Sequence, residues 1–156
     1  MNSSGYNPYA NKSGYNTYRE TSIKTASQGK LVVMLYEEAV KQLESAVLMI
    51  DDSGTIEAKN IESFGQKIQE VEDIITELEV TLDMEKGGEI AKNLMSLYVY
   101  FNKELMSANI NHDKKKILFV LDMLTQLRDS WVQAANSVAN TNTALPQDRP
   151  SLNITG

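Results

Sequence analysis

The sequence predicts an all-α protein, an antiparallel four-helix bundle flanked by a mobile Tyr-rich N-terminal arm and a disordered C-terminal tail. Three observations predict it. Four long stretches carry apolar residues at steps of three and four, the period of one helix face. Short clusters of Gly, Asn, Asp and Ser separate them, and short connections make sequential helices run in opposite directions. The 156 residues are 42% hydrophobic and 23% charged, with only 3 Pro, and 7 Met against 3 Phe lean helical. The boundaries expected are 1–24 for the arm, 25–139 for the bundle and 140–156 for the tail.

Helix one is expected over roughly Ser27 to Asp51. Around Thr25-Ala26-Ser27 a hydroxyl can accept from the free amides of a first turn, and Leu31, Met34, Leu35, Ala39, Leu43, Ala46 and Ile50 follow. Asp51-Asp52-Ser53-Gly54 breaks that run, and Thr55 is a candidate cap for helix two. Its apolar residues fall at Ile61, Phe64, Ile68, Val71, Ile75, Leu78 and Leu82, steps alternating between three and four as in a helix packed nearly parallel to a neighbour. Helix two is expected to end near Gly87-Gly88, where one glycine can adopt the left-handed conformation that closes a helix. Helix three presents Ile90, Leu94, Leu97, Phe101, Leu105 and Ala108, and stops around Asn109-Ile110-Asn111. Asn111 or Asp113 can cap helix four, whose inward face is read as Ile117, Leu121, Leu124, Trp131, Ala135 and Val138. Beyond about Asn140 the tail holds Pro146 and Pro150 and no period. The arm, with Tyr6, Tyr9, Tyr15 and Tyr18 among Asn and Gly, has no period either.

Composition excludes several kinds of chemistry. A formal charge of −6 disfavours a general grip on nucleic acid, and Lys114-Lys115-Lys116 reads as a solvated helix start. Without cysteine there is no disulfide, thiolate metal site or thiol nucleophile. No apolar run reaches membrane length, so no membrane insertion is expected and the chain reads as cytosolic. The single histidine, His112, follows Asn109 by three, which removes the paired Glu-x-x-His motif of di-iron bundles. Gly87-Gly88 lacks the preceding strand that a nucleotide site requires. Neither catalytic residues nor a cofactor are expected, and an enzyme is the weaker class.

What remains is apolar surface beyond one inward face. Ala91, Met95 and Tyr98 form a second stripe on helix three, widened by Val99 and Met106, and helix four adds Leu118, Phe119, Val120, Met123 and Leu127. A helix apolar around most of its circumference must be covered on more than one side. Such surface suits a groove for a partner's helices, with Met as the adaptable contact. The groove candidates are Met95, Tyr98, Phe119, Met123 and Leu127.

These residues also carry a resemblance. Tyr18 through Ser27, followed by Leu31 through Val40, resembles the opening of the flagellin-specific secretion chaperone family, FliS. Leu82-Asp83-Met84-Glu85-Lys86-Gly87-Gly88-Glu89-Ile90-Ala91-Lys92-Asn93-Leu94, Leu97-Tyr98, Ala108-Asn109 and Leu127-Arg128-Asp129-Ser130-Trp131 follow the family's pattern further along. The likeness spans about Tyr18 to Ala135. Gln28 stands where the family usually has a helix-starting proline, and Glu37-Glu38 replaces its usual Asp-Gly. The resemblance implies antiparallel helices that bind the C-terminal segment of newly made flagellin, keep it unpolymerised and present it to the flagellar export gate, with no nucleotide required. Tyr18 and Ile23 are then placed near the groove, which the Tyr-rich arm can shield when empty. Further partners admitted on this reading are other flagellar assembly regulators and a second copy of the chain in a homodimer. The alternative is a self-associating helical adaptor or structural protein without a flagellin client.

Overall fold

The computed structural model describes the backbone of residues 14–155 and the side chains of residues 28–138. Tyr18 and Ile23, and the expected arm and tail at 1–24 and 140–156, therefore lie wholly or partly outside the described side chains. Four α-helices occur among the described residues: α1 (Gly14–Val47), α2 (Ile61–Thr81), α3 (Gly88–Asn111) and α4 (Lys114–Thr155), with a short 3-10 turn at Ala58–Asn60 before α2. The only β pairing among them is an isolated bridge between Ile50 and Ile56. The fold is the all-α bundle that the periodicity predicts.

Helical backbone reaches beyond the pattern at both ends, starting at Gly14 rather than near Ser27 and continuing past Asn140. At the first end the reason is local, because no Gly or Pro interrupts Tyr15 to Gln28 and a nucleated helix propagates until something stops it. The start of α2 also differs. Thr55 does not cap it; its amide instead donates to the Asp51 carboxylate at 2.9 Å, in a loop where Asp51 also accepts from the Ser53 amide and hydroxyl. The end of α2 comes at Thr81, because Asp83 draws the chain into a turn by accepting from the amides of Glu85 and Lys86. Gly88 then takes the left-handed conformation, φ 54°, while Gly87 makes the close approach. A Cβ on Gly87 would stand 2.6 Å from that of Ala91. At the other end of α3, His112 closes the helix with φ 51°, ψ 51°, and the Asp113 carboxylate caps α4 by accepting from the Lys116 amide at 3.3 Å.

Residues Val32–Gln133 form one compact unit, and the core lies inside it. From α1 come Val32, Tyr36, Ala39, Val40, Leu43 and Ala46; Ile50 and Ile56 follow from the loop. α2 contributes Phe64, Ile68, Val71, Ile75 and Leu78, α3 Tyr98, Phe101, Leu105 and Ala108, and α4 Ile117, Val120 and Leu124. Neighbouring helices run in opposite directions, because contacts pair rising numbers with falling ones. Phe64 meets His112 and Glu72 meets Asn102 across α2 and α3, while Ser107 meets Lys116 and Tyr100 meets Phe119 across α3 and α4.

Several expected core positions lie outside instead. Leu31 and Met34 on α1, Ile61 at the first turn of α2, Ile90 on α3 and Val138 on α4 are exposed. On α1 and α3 the difference is confined to the earlier residues, since Ala39, Leu43 and Ala46 on α1 and Phe101, Leu105 and Ala108 on α3 are buried as expected. Val32 and Tyr36 replace Leu31 and Met34, and Ala91 and Tyr98 replace Ile90 and Leu97 at the centre of the face, leaving Leu97 half-buried against the core.

Candidate functional site

The two apolar stripes expected on α3 and α4 divide into three environments. Ala91, Tyr98 and Val120 belong to the core. Met95, Met123 and Leu127 are half-buried, the last two packed against core residues. Val99, Met106, Leu118 and Phe119 are exposed. The excess of apolar residues is thus partly absorbed and partly displayed.

Tyr98 is a correction to the expected groove. It is 1% exposed, its hydroxyl shares a hydrogen bond with that of Tyr36 on α1, and it presents no surface. A buried tyrosine needs a partner for its hydroxyl, and here that partner comes from another helix, so the amphipathic side chain turns inward. Burial pushes both phenols above their usual range; Tyr98 adds to the rise at Tyr36, and the Trp131 indole opposes it there.

What the structure brings together is the outer flank where α4 lies against α3. Phe119, Met123 and Leu127 repeat every four residues and so form one ridge along α4. On α3, Leu97, Tyr100 and Glu104 follow at steps of three and four along the facing flank. Tyr100 stands edge-on to Phe119, centroids 6.1 Å apart and planes at 88°, a favoured aromatic geometry. Both rings are nearly half exposed, 44% and 45%. One end of the flank is polar, where Lys116 lies 3.9 Å from Glu104 and donates to the Ser107 hydroxyl at 3.1 Å. Between that end and Leu127 the flank displays apolar side chains.

Met95 does not join this face, since helical spacing puts it about 140° around α3 from Tyr100. Tyr100 itself was absent from the predicted stripes. A signal was available in the sequence, because residues two apart sit about 200° apart on a helix, so Tyr98 and Tyr100 cannot both face the core.

Elsewhere the chemistry is sparse. No group of three or more His, Asp or Glu able to hold a metal occurs among the described residues. An open hollow of about 250 Å³ lies beside the two loops at one end of the bundle, lined by residues including Asp52, His112 and Lys114. Its Lys114 ammonium and Asp52 carboxylate pair with each other at 3.1 Å. No helix among the described residues is long and apolar enough to cross a membrane.

The described residues form a helical bundle with one aromatic pair, Tyr100 and Phe119, exposed on the α3–α4 flank. Residues 10–138 match the family described as flagellar protein FliS. The chain is 31% identical over 123 residues to the flagellar secretion chaperone FliS of Bacillus subtilis, covering 79% of this chain and 86% of that protein. It is 35% identical over 115 residues to the flagellar secretion chaperone FliS of Salmonella typhimurium, 73% of this chain and 81% of that one. To the protein of the same name in Vibrio cholerae it is 29% identical over 125 residues, 80% and 88%. The chain belongs to the FliS family.

Proposed function

We propose that this protein is a cytosolic flagellar export chaperone that holds the C-terminal segment of flagellin as helix on the α3–α4 face, keeps it from polymerising and delivers it to the flagellar export gate. The observation that carries this reading is the exposed Tyr100–Phe119 pair continuing into Met123 and Leu127. Membership of a family whose relatives are named flagellar secretion chaperones supports it. A segment that is apolar and unfolded before assembly gains helix and buries its apolar face when it docks on such a ridge. Met123, the one methionine of α4, adapts to an irregular helix better than a branched side chain does. The holding step is a binding equilibrium, so it needs no bond making or breaking. Tyr18 and Ile23 are assigned to the same face by the family pattern alone.

The test is calorimetric titration of a synthetic flagellin C-terminal segment into the full chain. Saturable one-to-one binding, with a rise in helix content by circular dichroism, is the expected result. Absence of heat and of helix gain at micromolar concentrations would remove the client from the reading.

A further inference from the structure

The ridge on α4 does not end at Leu127. Phe119, Met123, Leu127 and Trp131 follow at steps of four. Each such step turns about 40° around a helix, so the line winds by about 120° from the outer flank toward the core. Burial follows the winding: Phe119 is nearly half exposed, Met123 and Leu127 are half-buried, and Trp131 packs against the core with its indole bonded to the Tyr36 hydroxyl. An indole N–H can only donate, so Tyr36 accepts there, and its hydroxyl is joined in turn to that of Tyr98. Both phenols are fully buried, and no charged or amide residue belongs to the buried core among the described residues. One polar chain therefore runs through an otherwise apolar interior, from Trp131 on α4 by way of Tyr36 on α1 to Tyr98 on α3. Apolar burial is non-directional, whereas these bonds have a direction, and in a medium of low dielectric each strengthens the next.

Both ends of the chain sit behind the α3–α4 face. Tyr98 precedes Tyr100 by two residues, about 200° around α3, so the inward and outward tyrosines move together whenever the helix turns. Trp131 follows Leu127 by about one turn of α4. Because α3 and α4 are antiparallel and helical side chains lean toward the N-terminus of their own helix, Tyr98 and Trp131 lean toward each other, with Tyr36 between them. We propose that Trp131 and Tyr36 are positioning residues for the client: as an inner clasp they fix the rotation of α4 and α3 about their own axes, hold Tyr100 against Phe119, and keep Met123 and Leu127 in line for a docking helix. The proposal rests on the α3–α4 reading of the client face. It adds a residue of α1 that no docked segment can touch, since Tyr36 is wholly buried.

Calorimetric titration of a synthetic flagellin C-terminal segment into the full chain and its variants tests the clasp, with helix content checked by circular dichroism at the same temperature. Tyr36→Phe and Trp131→Phe should each weaken binding about threefold or more. The double variant should lose no more than the larger single loss, because both changes cut one chain. Ile68→Val deletes a buried methyl on α2, outside the clasp. It should lower the urea midpoint and leave the affinity unchanged, which separates positioning of the face from stability of the fold. Wild-type affinity in both Tyr36→Phe and Trp131→Phe, additive losses in the double variant, or an equal loss in Ile68→Val would each overturn the clasp while leaving the client reading in place. A wild type that binds no segment would remove both.

Discussion

The hydroxyl groups of Tyr36 and Tyr98 meet inside the core, joining α1 to α3 across 62 residues of sequence, with ring centroids 6.4 Å apart and planes tilted by 53°. Neither phenol reaches solvent to a useful extent; the Tyr98 hydroxyl depends on that of Tyr36, and the Tyr36 hydroxyl has the Trp131 indole as its one other partner. Replacing one by phenylalanine leaves the other buried and short of a partner, at a cost of about 1–3 kcal/mol, whereas replacing both removes the need together. Tyr36→Phe and Tyr98→Phe are expected to lower stability singly, and the double variant to recover most of the loss. Urea denaturation of all four proteins in a double-mutant cycle reads the coupling.

The turn between α2 and α3 makes a contrasting pair of glycines. A Cβ on Gly87 would lie 2.6 Å from the Ala91 Cβ and 2.7 Å from the Asp83 carbonyl oxygen, whereas at Gly88 it would meet nothing within 4 Å. Gly87→Ala is expected to cost at least about 1–3 kcal/mol by overpacking. Gly88→Ala meets only the strain of a left-handed alanine, about 1 kcal/mol. Thermal unfolding should rank them in that order, and equal losses would contradict the geometry.

Two carboxylates give opposite pH signatures. Thr55's amide, then the Ser53 hydroxyl, hold Asp51 below its ordinary value of 3.8. Its contribution is therefore present above that value and lost as pH falls through the lowered one. Asp51→Ala should reduce the denaturant midpoint at neutral pH, with the difference closing in acid. Burial first, then the neighbouring Asp73, raise Glu72 above 4.5, so its ionisation opposes folding. Glu72→Gln should raise the midpoint at neutral pH, an advantage that disappears below 4.5 where the carboxyl is protonated in both states.

How far the sequence disclosed this arrangement differs from helix to helix. On α2 the steps of three and four identified Phe64, Ile68, Val71, Ile75 and Leu78, all buried, because a single narrow stripe leaves one choice of inward face. On α3 two adjoining stripes were both apolar, and local pattern cannot choose between them. The choice is made by partners distant in sequence: Tyr36 receives Tyr98, and Gly87 allows Ala91 to turn inward where the larger Ile90 faces out. The same ambiguity hid Tyr100, whose neighbour Phe119 comes from another helix. On α4, Phe119, Met123 and Leu127 were legible as a ridge, because their spacing alone places them together.

The ridge residues Phe119, Met123 and Leu127 are themselves uncharged and the exposed Asp122 lies beside rather than on their line, so the affinity should depend only weakly on ionic strength. Titrations of the flagellin segment in about 0.05 M and 0.5 M salt are expected to agree within about threefold, with a negative heat-capacity change from apolar burial. A steep fall in affinity with salt would move the contact to a charged surface.

Side-by-side titration of the flagellin C-terminal segment into the wild type, Phe119→Glu and Met106→Glu bears most directly on where the client sits. Both substitutions replace exposed side chains, so both variants should keep their fold by circular dichroism. The account predicts that Phe119→Glu weakens binding by at least about 2 kcal/mol, as for a hot-spot aromatic, while Met106→Glu leaves it unchanged. Wild-type affinity in Phe119→Glu, or a loss confined to Met106→Glu, would contradict it.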